Sequence, residues 1–301
     1  MPSNAHEILF RTSIAACNSD DHLRVYMRDV RGKISETVYE NGWSSGAEKN
    51  VVASAKTFSP LACTSNNLEK IRVFYLSSEN TIEGIAYNQS EGWFEGSIGK
   101  KRFITAPYSK LAVCHFEKGS DIELRVYGQL ADNTIQEFGF KGKNLTQPIW
   151  YIFQRFSTDE SSGWQKMSNL GHAMPGTEIA CTAIRTCIRV YFQDLEHSLV
   201  EKCHDANRGW YDGFTKFPTM QPRAALACTS FAFGSDNISI HIFYSTASEV
   251  LEMVHDGRSW REGQFQADCI PGTEIACLSW ISGSSSEIRV YAGWSGGLCH
   301  L

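Results

Sequence analysis

A tetrapeptide of the form Ile-Arg-Val-Tyr returns six times in this chain, and that repetition restricts the fold more than any other feature of the sequence. The copies are Leu23-Arg24-Val25-Tyr26, Ile71-Arg72-Val73-Phe74, Leu124-Arg125-Val126-Tyr127, Ile188-Arg189-Val190-Tyr191, Ile240-His241-Ile242-Phe243 and Ile288-Arg289-Val290-Tyr291. Their basic residues stand 48, 53, 64, 52 and 48 positions apart. Each copy is preceded by a small apolar stretch ending in cysteine: Ala16-Cys17, Ala62-Cys63, Val113-Cys114, Ala180-Cys181, Ala227-Cys228 and Ala276-Cys277. A unit of about 50 residues that recurs in this way cannot bury its apolar faces alone, so neighbouring units must stack.

Within the first copy the order is a small-residue strand (Ile14 to Cys17), a β-branched and aromatic strand (Leu23 to Met27), a polar turn (Asp29 to Gly32), an alternating strand (Lys33 to Tyr39) and then Gly42-Trp43. Four short antiparallel strands per unit are the pattern of a propeller blade, with small residues on the crowded inner strand and aromatics between blades. The 24 glycines, 8 prolines and abundant Phe, Tyr and Trp agree with an all-β chain. The expectation is one six-bladed β-propeller spanning residues 1–301. Two irregularities stand out. The third copy carries an insertion at about 141–160, and the last copy stops at Leu301, twelve residues past Arg289. The sixth blade is therefore expected to gain a strand from the N-terminal Glu7 to Thr12, or to be incomplete.

In the first, third and fourth copies a glutamate follows the arginine by twelve residues: Arg24 and Glu36, Arg125 and Glu137, Arg189 and Glu201. In a hairpin turning near the midpoint both side chains lie on one face, as a cross-strand ion pair. One such pair is ordinary surface electrostatics, but three at identical spacing indicate a kept register. A guanidinium beside a carboxylate offers planar donors and acceptors that suit vicinal hydroxyls of a sugar. The following blade supplies aromatics: Tyr87 and Trp93, His204 and Trp210, His255 and Trp260. An indole can cover the C–H face of a pyranose, although packing between blades is the competing role for each tryptophan.

With those residues in place the chain resembles the fungal fucose-specific lectins of the Aleuria aurantia type. The likeness spans nearly the whole sequence and is densest in ILFRTSIAACNSDDHLRVYMRDVRGKISETVYENGW and EKNVVASAKTFSPLACTS. It implies a six-bladed propeller binding L-fucose between adjacent blades, with fucosylated glycans and glycoproteins as partners. It also implies no catalysis, no metal or other cofactor, and frequent dimerisation, which brings in a homodimer as an option. Carried over, the best site is Arg24, Glu36, Tyr87 and Trp93. The sites of Arg125, Glu137, His204 and Trp210 and of Arg189, Glu201, His255 and Trp260 put histidine in an aromatic place. Three sites are expected to be degenerate. Arg72 has Gly84 at its glutamate position, with Glu83 on the opposite face. His241 replaces an arginine, with Glu252 only eleven residues on, and Arg289 has no glutamate partner.

Other readings are weaker. A sialidase-like propeller glycosidase wants two carboxylates of divided role, whereas an arginine beside each glutamate is expected to lower its pKa, and the Asp-box Ser-x-Asp-x-Gly-x-Thr-Trp is missing. A WD40 or kelch interaction propeller leaves the arginine–glutamate spacing unexplained. A net charge of −5 without basic blocks argues against nucleic acid, and no apolar run is long enough for membrane insertion. The N-terminus lacks the order of a secretory signal, so a soluble protein is expected, cytoplasmic or released by a non-classical route. The ten cysteines, with no CxxC, read as reduced thiols, six of them at one position per blade.

Overall fold

The computed structural model describes residues 8–44, 50–118, 121–141, 163–233, 237–294 and 297–300, and these form six antiparallel sheets. Blade 1 holds β1 (Ile14–Ser19), β2 (His22–Arg28), β3 (Lys33–Tyr39) and β4 (Trp43–Ser44), with β5 (Val51–Ser54) also pairing β3. Blade 2 holds β6 (Leu61–Asn66), β7 (Lys70–Leu76), β8 (Ile82–Asn88) and β9 (Gly92–Glu95). Blade 3 holds β10 (Leu111–Lys118), β11 (Asp121–Gln129), β12 (Thr134–Lys141) and β13 (Gly163–His172). Blade 4 holds β14 (Ala180–Ile184), β15 (Cys187–Gln193), β16 (Leu199–Asp205) and β17 (Gly209–Asp212). Blade 5 holds β18 (Leu226–Phe233), β19 (Asn237–Ser245), β20 (Glu249–His255) and β21 (Trp260–Asp268). Blade 6 has three strands, β22 (Ile275–Ser282), β23 (Ser285–Trp294) and β24 (Gly297–His300).

The first strands touch one another in a closed circuit, β1 to β6, β10, β14, β18, β22 and back to β1, so they surround the centre of a six-bladed propeller. The reason lies in one recurring cross-strand pair. An alanine of the first strand stands opposite the last aromatic of the tetrapeptide in every blade: Ala15 and Tyr26, Ala62 and Phe74, Ala112 and Tyr127, Ala180 and Tyr191, Ala227 and Phe243, Ala276 and Tyr291. All twelve are buried. A methyl opposite a ring leaves room for the ring to pack, and the smallest side chains fall where the blades converge. The apolar clusters accordingly lie between blades; one joins Leu23, Val25 and Ile14 of blade 1 to Ala276, Leu278 and Tyr291 of blade 6.

Of the two alternatives for blade 6, the described residues show the incomplete one: Ile8 bridges Asp29 of blade 1, and no N-terminal strand enters the sixth sheet among them. One expectation is corrected, because the cysteines do not share one register. Cys63, Cys181, Cys228 and Cys277 oppose Val73, Val190, Ile242 and Val290, whereas Cys17 and Cys114 oppose Arg24 and Arg125, one residue later and on the other face. The insertion in blade 3 falls between β12 and β13, which pair from Lys141 and Gly163 onward; residues 142–162 lie outside the described residues. No helix among the described residues is long and apolar enough to cross a membrane.

Candidate functional site

The seam between blades 1 and 2 holds an open cleft lined by the repeated residues. On β2 and β3, Arg24 opposes Val38 and Tyr26 opposes Glu36, so strand alternation puts all four on one face. Arg24 curls back to donate from Nη1 to the Leu23 carbonyl at 2.9 Å, and Arg72, Arg125 and Arg189 each do the same to the residue before them. The guanidinium is thereby aimed by its own strand. From blade 2, Tyr87 and Trp93 are directly paired across β8 and β9, with ring centres 5.4 Å apart, and Trp93 meets Tyr26 edge-on at 6.1 Å. Between the two blades lies a cleft of about 370 Å³, whose lining includes Arg24, Glu36, Glu40, Glu69, Tyr87 and Gln89.

The ionic partners differ from the expected pairs. Arg24 Nη2 lies 2.7 Å from Glu40, sixteen residues on, and Glu36 instead accepts a 2.8 Å hydrogen bond from the Tyr26 hydroxyl. Blade 4 repeats this arrangement: Arg189 pairs with Asp205 at 3.0 Å, also sixteen residues on, and Tyr191 donates to Glu201 at 2.8 Å. In blade 2 the corresponding group is Asn88, whose Oδ1 accepts from Arg72 at 3.2 Å. A +16 position filled by Glu40, Asn88 and Asp205 was a readable signal that the +12 pattern obscured. The twelve-residue pair is a direct contact in blade 3, where Arg125 Nε stands 3.2 Å from Glu137 and Glu123 engages the same guanidinium.

The tyrosine of the tetrapeptide is the other missed residue. Where the aromatic is Tyr26, Tyr127 or Tyr191 a glutamate stands opposite, and where it is Phe74 the opposite residue is Gly84. The phenol orients the carboxylate in blades 1 and 4 only; tyrosine and glutamate are lost together in blade 2, whereas Glu252 stands opposite Phe243 and Tyr291 opposite His300. Glu83 pairs with Tyr75 on the other face. The eleven-residue spacing of Glu252 does not displace it, because a shorter turn restores the register: Glu252 opposes Phe243 as Glu36 opposes Tyr26. Its carboxylate is 2.6 Å from His241 Nδ1.

The third seam is closed. Glu137 is 3% exposed and Arg125 7%, against 18% for Arg24. Besides Arg125, Glu137 accepts from Trp210 Nε1 at 3.3 Å and the Ser168 amide at 3.2 Å. The Met167 sulphur fills the space that a Cβ on Gly139 would take, beside Arg125. At the fourth seam Trp260 packs on Tyr191 at 6.0 Å and His255 on Trp260 at 5.2 Å; the cavity beside Arg189 measures about 30 Å³. Two further aromatic pairs complete the pattern. Phe140 and Trp164 stand behind Phe74 in the seam of Arg72. Tyr39 and Trp43 face Arg289 and Tyr291 in the seam of blades 6 and 1, with the Arg289 guanidinium 4.9 Å from the Tyr39 ring centre.

The expected lowering of the glutamate pKa fails at Glu36. Burial raises it, outweighing the Tyr26 hydrogen bond and the Arg24 charge. At Glu252 burial pushes the same way, but hydrogen bonds from His241 and the Phe265 amide hold the carboxyl low. The pKa of these carboxyls therefore does not by itself argue against glycoside hydrolysis.

Comparison with known proteins supplies the family. The model of the fungal fucose-specific lectins matches residues 8–151 and 147–297. A fucose-specific lectin of Aspergillus fumigatus is 37% identical over 298 residues, covering 95% of this chain and 89% of the relative, and that of Aleuria aurantia is 27% identical over 94% and 88%. The SapL1 lectin in complex with α-methyl fucoside superposes with a TM-score of 0.78 at 31% identity, covering 99% of this chain and 97% of that one. The six-bladed crystal structure of the Aleuria aurantia lectin gives 0.81 at 27%, covering 98% and 92%. With two matches that together span nearly all of it, and a relative named a fucose-specific lectin at 37% identity, this chain belongs to the fungal fucose-specific lectin family.

Proposed function

We propose that this protein binds L-fucose and fucosylated glycans without altering them, and that the seam of Arg24, Glu36, Tyr87 and Trp93 is its principal site. The observation that carries this reading is the open cleft between blades 1 and 2, lined by a guanidinium, a phenol-anchored carboxylate and Tyr87 of the next blade, with Trp93 packed against Tyr87 and Tyr26. In a site of this kind the carboxylate accepts from sugar hydroxyls, the guanidinium donates to them, and the aromatic edge receives the C6 methyl. Galactose would bury an unpaired C6 hydroxyl there. The seams of Arg125, Glu137, His204 and Trp210 and of Arg189, Glu201, His255 and Trp260 are proposed as secondary sites. Those of Arg72, of His241 with Glu252, and of Arg289 are proposed as degenerate.

A monosaccharide offers few atoms, so each site is expected to be weak, and several sites on one rigid ring raise apparent affinity for fucosylated glycoproteins by about 10²- to 10⁴-fold. A homodimer would multiply the sites further. The test is calorimetric titration with L-fucose, counting sites per chain, alongside galactose and a release assay on a labelled fucoside. Fucose-selective binding without release is expected. Absence of fucose binding, or liberation of fucose, would overturn the reading.

A further inference from the structure

Six residues hold equivalent places at the inner end of the blades, each three positions before the first-strand residue that opposes Val25, Val73, Val126, Val190, Ile242 or Val290. They are Ser13, Pro60, Lys110, Glu178, Ala225 and Glu274. Three are small or uncharged, and the three charged ones meet. Lys110 Nζ lies 2.9 Å from Glu178 Oε2 and 2.5 Å from Glu274 Oε1. Blades 3 and 4 are neighbours, but blades 3 and 6 are opposite in a ring of six, so the second contact crosses the central bore.

We propose that Lys110, Glu178 and Glu274 form a clasp across the bore that holds the incomplete sixth blade in the ring. Blade 6 needs such a tie more than the others do. Its third strand, β24, pairs only with Tyr291 to Trp294, leaving Ser285 to Val290 of β23 without an outer neighbour among the described residues. Among the described residues no strand of another blade enters its sheet there; the apolar seams and the linker amide of Ile270, which donates to Gly293, join it to blades 1 and 5. The backbone turn that presents each clasp residue belongs to the ring in general, since Thr12 and Ser59 brace Ser13 and Pro60 in the same way. Ser109, Thr177 and Thr273 each donate a hydroxyl to the carbonyl of the clasp residue that follows. The same three hydroxyls accept the amides of Gln129, Gln193 and Gly293, so each clasp residue starts from a braced turn.

Burial, together with the facing Glu274, pushes the Glu178 carboxyl up to about 8 against the pull of Lys110, so the pull of one ammonium is divided between two carboxyls.

The test is hydrogen exchange of the backbone amides of β1–β2 and β22–β23, the two sides of the seam between blades 1 and 6, with unfolding rates measured in parallel. Lys110→Met and Glu274→Gln should each speed exchange at that seam by about tenfold while the amides of β6–β8 in blade 2 change little. The double exchange Lys110→Glu with Glu274→Lys should recover most of the protection, since it preserves the pair. A charge swap that recovers nothing, or single variants that exchange uniformly faster over all six blades, would overturn the clasp. Should Lys110→Met fail to fold, Glu274→Gln and the swap still decide the matter, because Glu274 lies on the blade in question.

Discussion

The seam of blades 1 and 2 and that of blades 3 and 4 carry the same arginine, tyrosine, glutamate and tryptophan, yet one is open and the other shut. Around Arg24 the companion acid is Glu40, whose side chain is 43% exposed at the rim, and among the described residues the Glu36 carboxylate is hydrogen-bonded by Tyr26. Around Arg125 the companion is Glu123, two residues back on the same strand, and Glu137 has three donors already. A buried carboxylate with its hydrogen bonds satisfied gains little by exchanging them for sugar hydroxyls. The difference comes from the fourth strand. The β12–β13 pairing is irregular between Thr134 and Phe138, and this brings the Ser168 amide to Glu137 and Met167 onto Gly139. Two seams thus share one residue set, and the register of the outer strand sets how open each is.

The largest effect expected from this contrast is on Arg24. Arg24→Ala should remove the strongest fucose site, since it deletes charge-assisted donors and leaves Glu40 only its contact with His22, each such bond contributing about 1.5–3 kcal/mol. Arg125→Ala should cost little fucose binding and instead lower stability, because it strands Glu123 and Glu137 in a buried place. Calorimetry for the first and thermal melting for the second separate the two. Equal binding losses would break the contrast.

A smaller effect, of opposite sign, comes from opening the closed seam. Met167→Ala withdraws the sulphur that covers Gly139 and Arg125, with modest loss of packing because Met167 is 37% exposed. The number of fucose sites per chain should rise, or the weakest class of sites should tighten by several-fold. An unchanged isotherm would mean that Glu137 and its donors, rather than Met167, close the seam.

How much of this was legible beforehand follows from the kind of information each feature carries. The six blades were readable because the tetrapeptide and its alanine partner repeat with the period of the fold itself. Register along a hairpin was partly readable: a +12 glutamate does lie on the arginine's face, but strand alternation equally allows +16, and only distances distinguish Glu40 from Glu36 as the ionic partner. Turn length was misleading at Glu252, where one residue fewer in the loop leaves the pairing intact. The Lys110 contact with Glu274 could not be read from sequence, since it joins residues 164 apart that share no pattern except their place in the ring. Whether the N-terminal segment or nothing completes blade 6 stayed open in the sequence, because closure of the ring is a property of the assembly, which no single repeat encodes.

The Tyr26 hydroxyl should show a moderate effect. Tyr26→Phe keeps the ring that packs on Trp93 and removes the donor that orients Glu36. A neutral hydrogen bond of about 1 kcal/mol corresponds to about fivefold in affinity at the Arg24 seam. Tyr127→Phe should do almost nothing, since the buried Tyr127 hydroxyl has no hydrogen-bond partner to lose. If the two variants behave alike, the phenol is a packing group in both seams and its contact with Glu36 is incidental.

The smallest expected effect is one of pH, and it again sets the open seam apart. Burial holds the Glu36 carboxyl above its ordinary pKa, so its carboxylate is lost at a higher pH than that of an exposed glutamate. A sugar whose hydroxyls donate to Glu36 binds the ionised form, and affinity should therefore fall as pH is lowered through that raised value, beginning above the usual carboxylate range. Stability runs the other way: a carboxyl with its pKa raised in the folded state holds a proton that the unfolded chain has released. Its contribution declines as pH rises from the unfolded value toward the folded one. Titrating fucose into an Arg189→Ala variant, which removes the fourth-seam guanidinium, over a range from about pH 4 to 7 reads the binding limb. Parallel melts on the unliganded protein read the stability limb. Affinity that stays level until the ordinary carboxylate range, or that rises on acidification, would mean that Glu36 accepts no hydrogen bond from the sugar and that Glu40, whose carboxyl Arg24 and His22 hold low, takes that part instead.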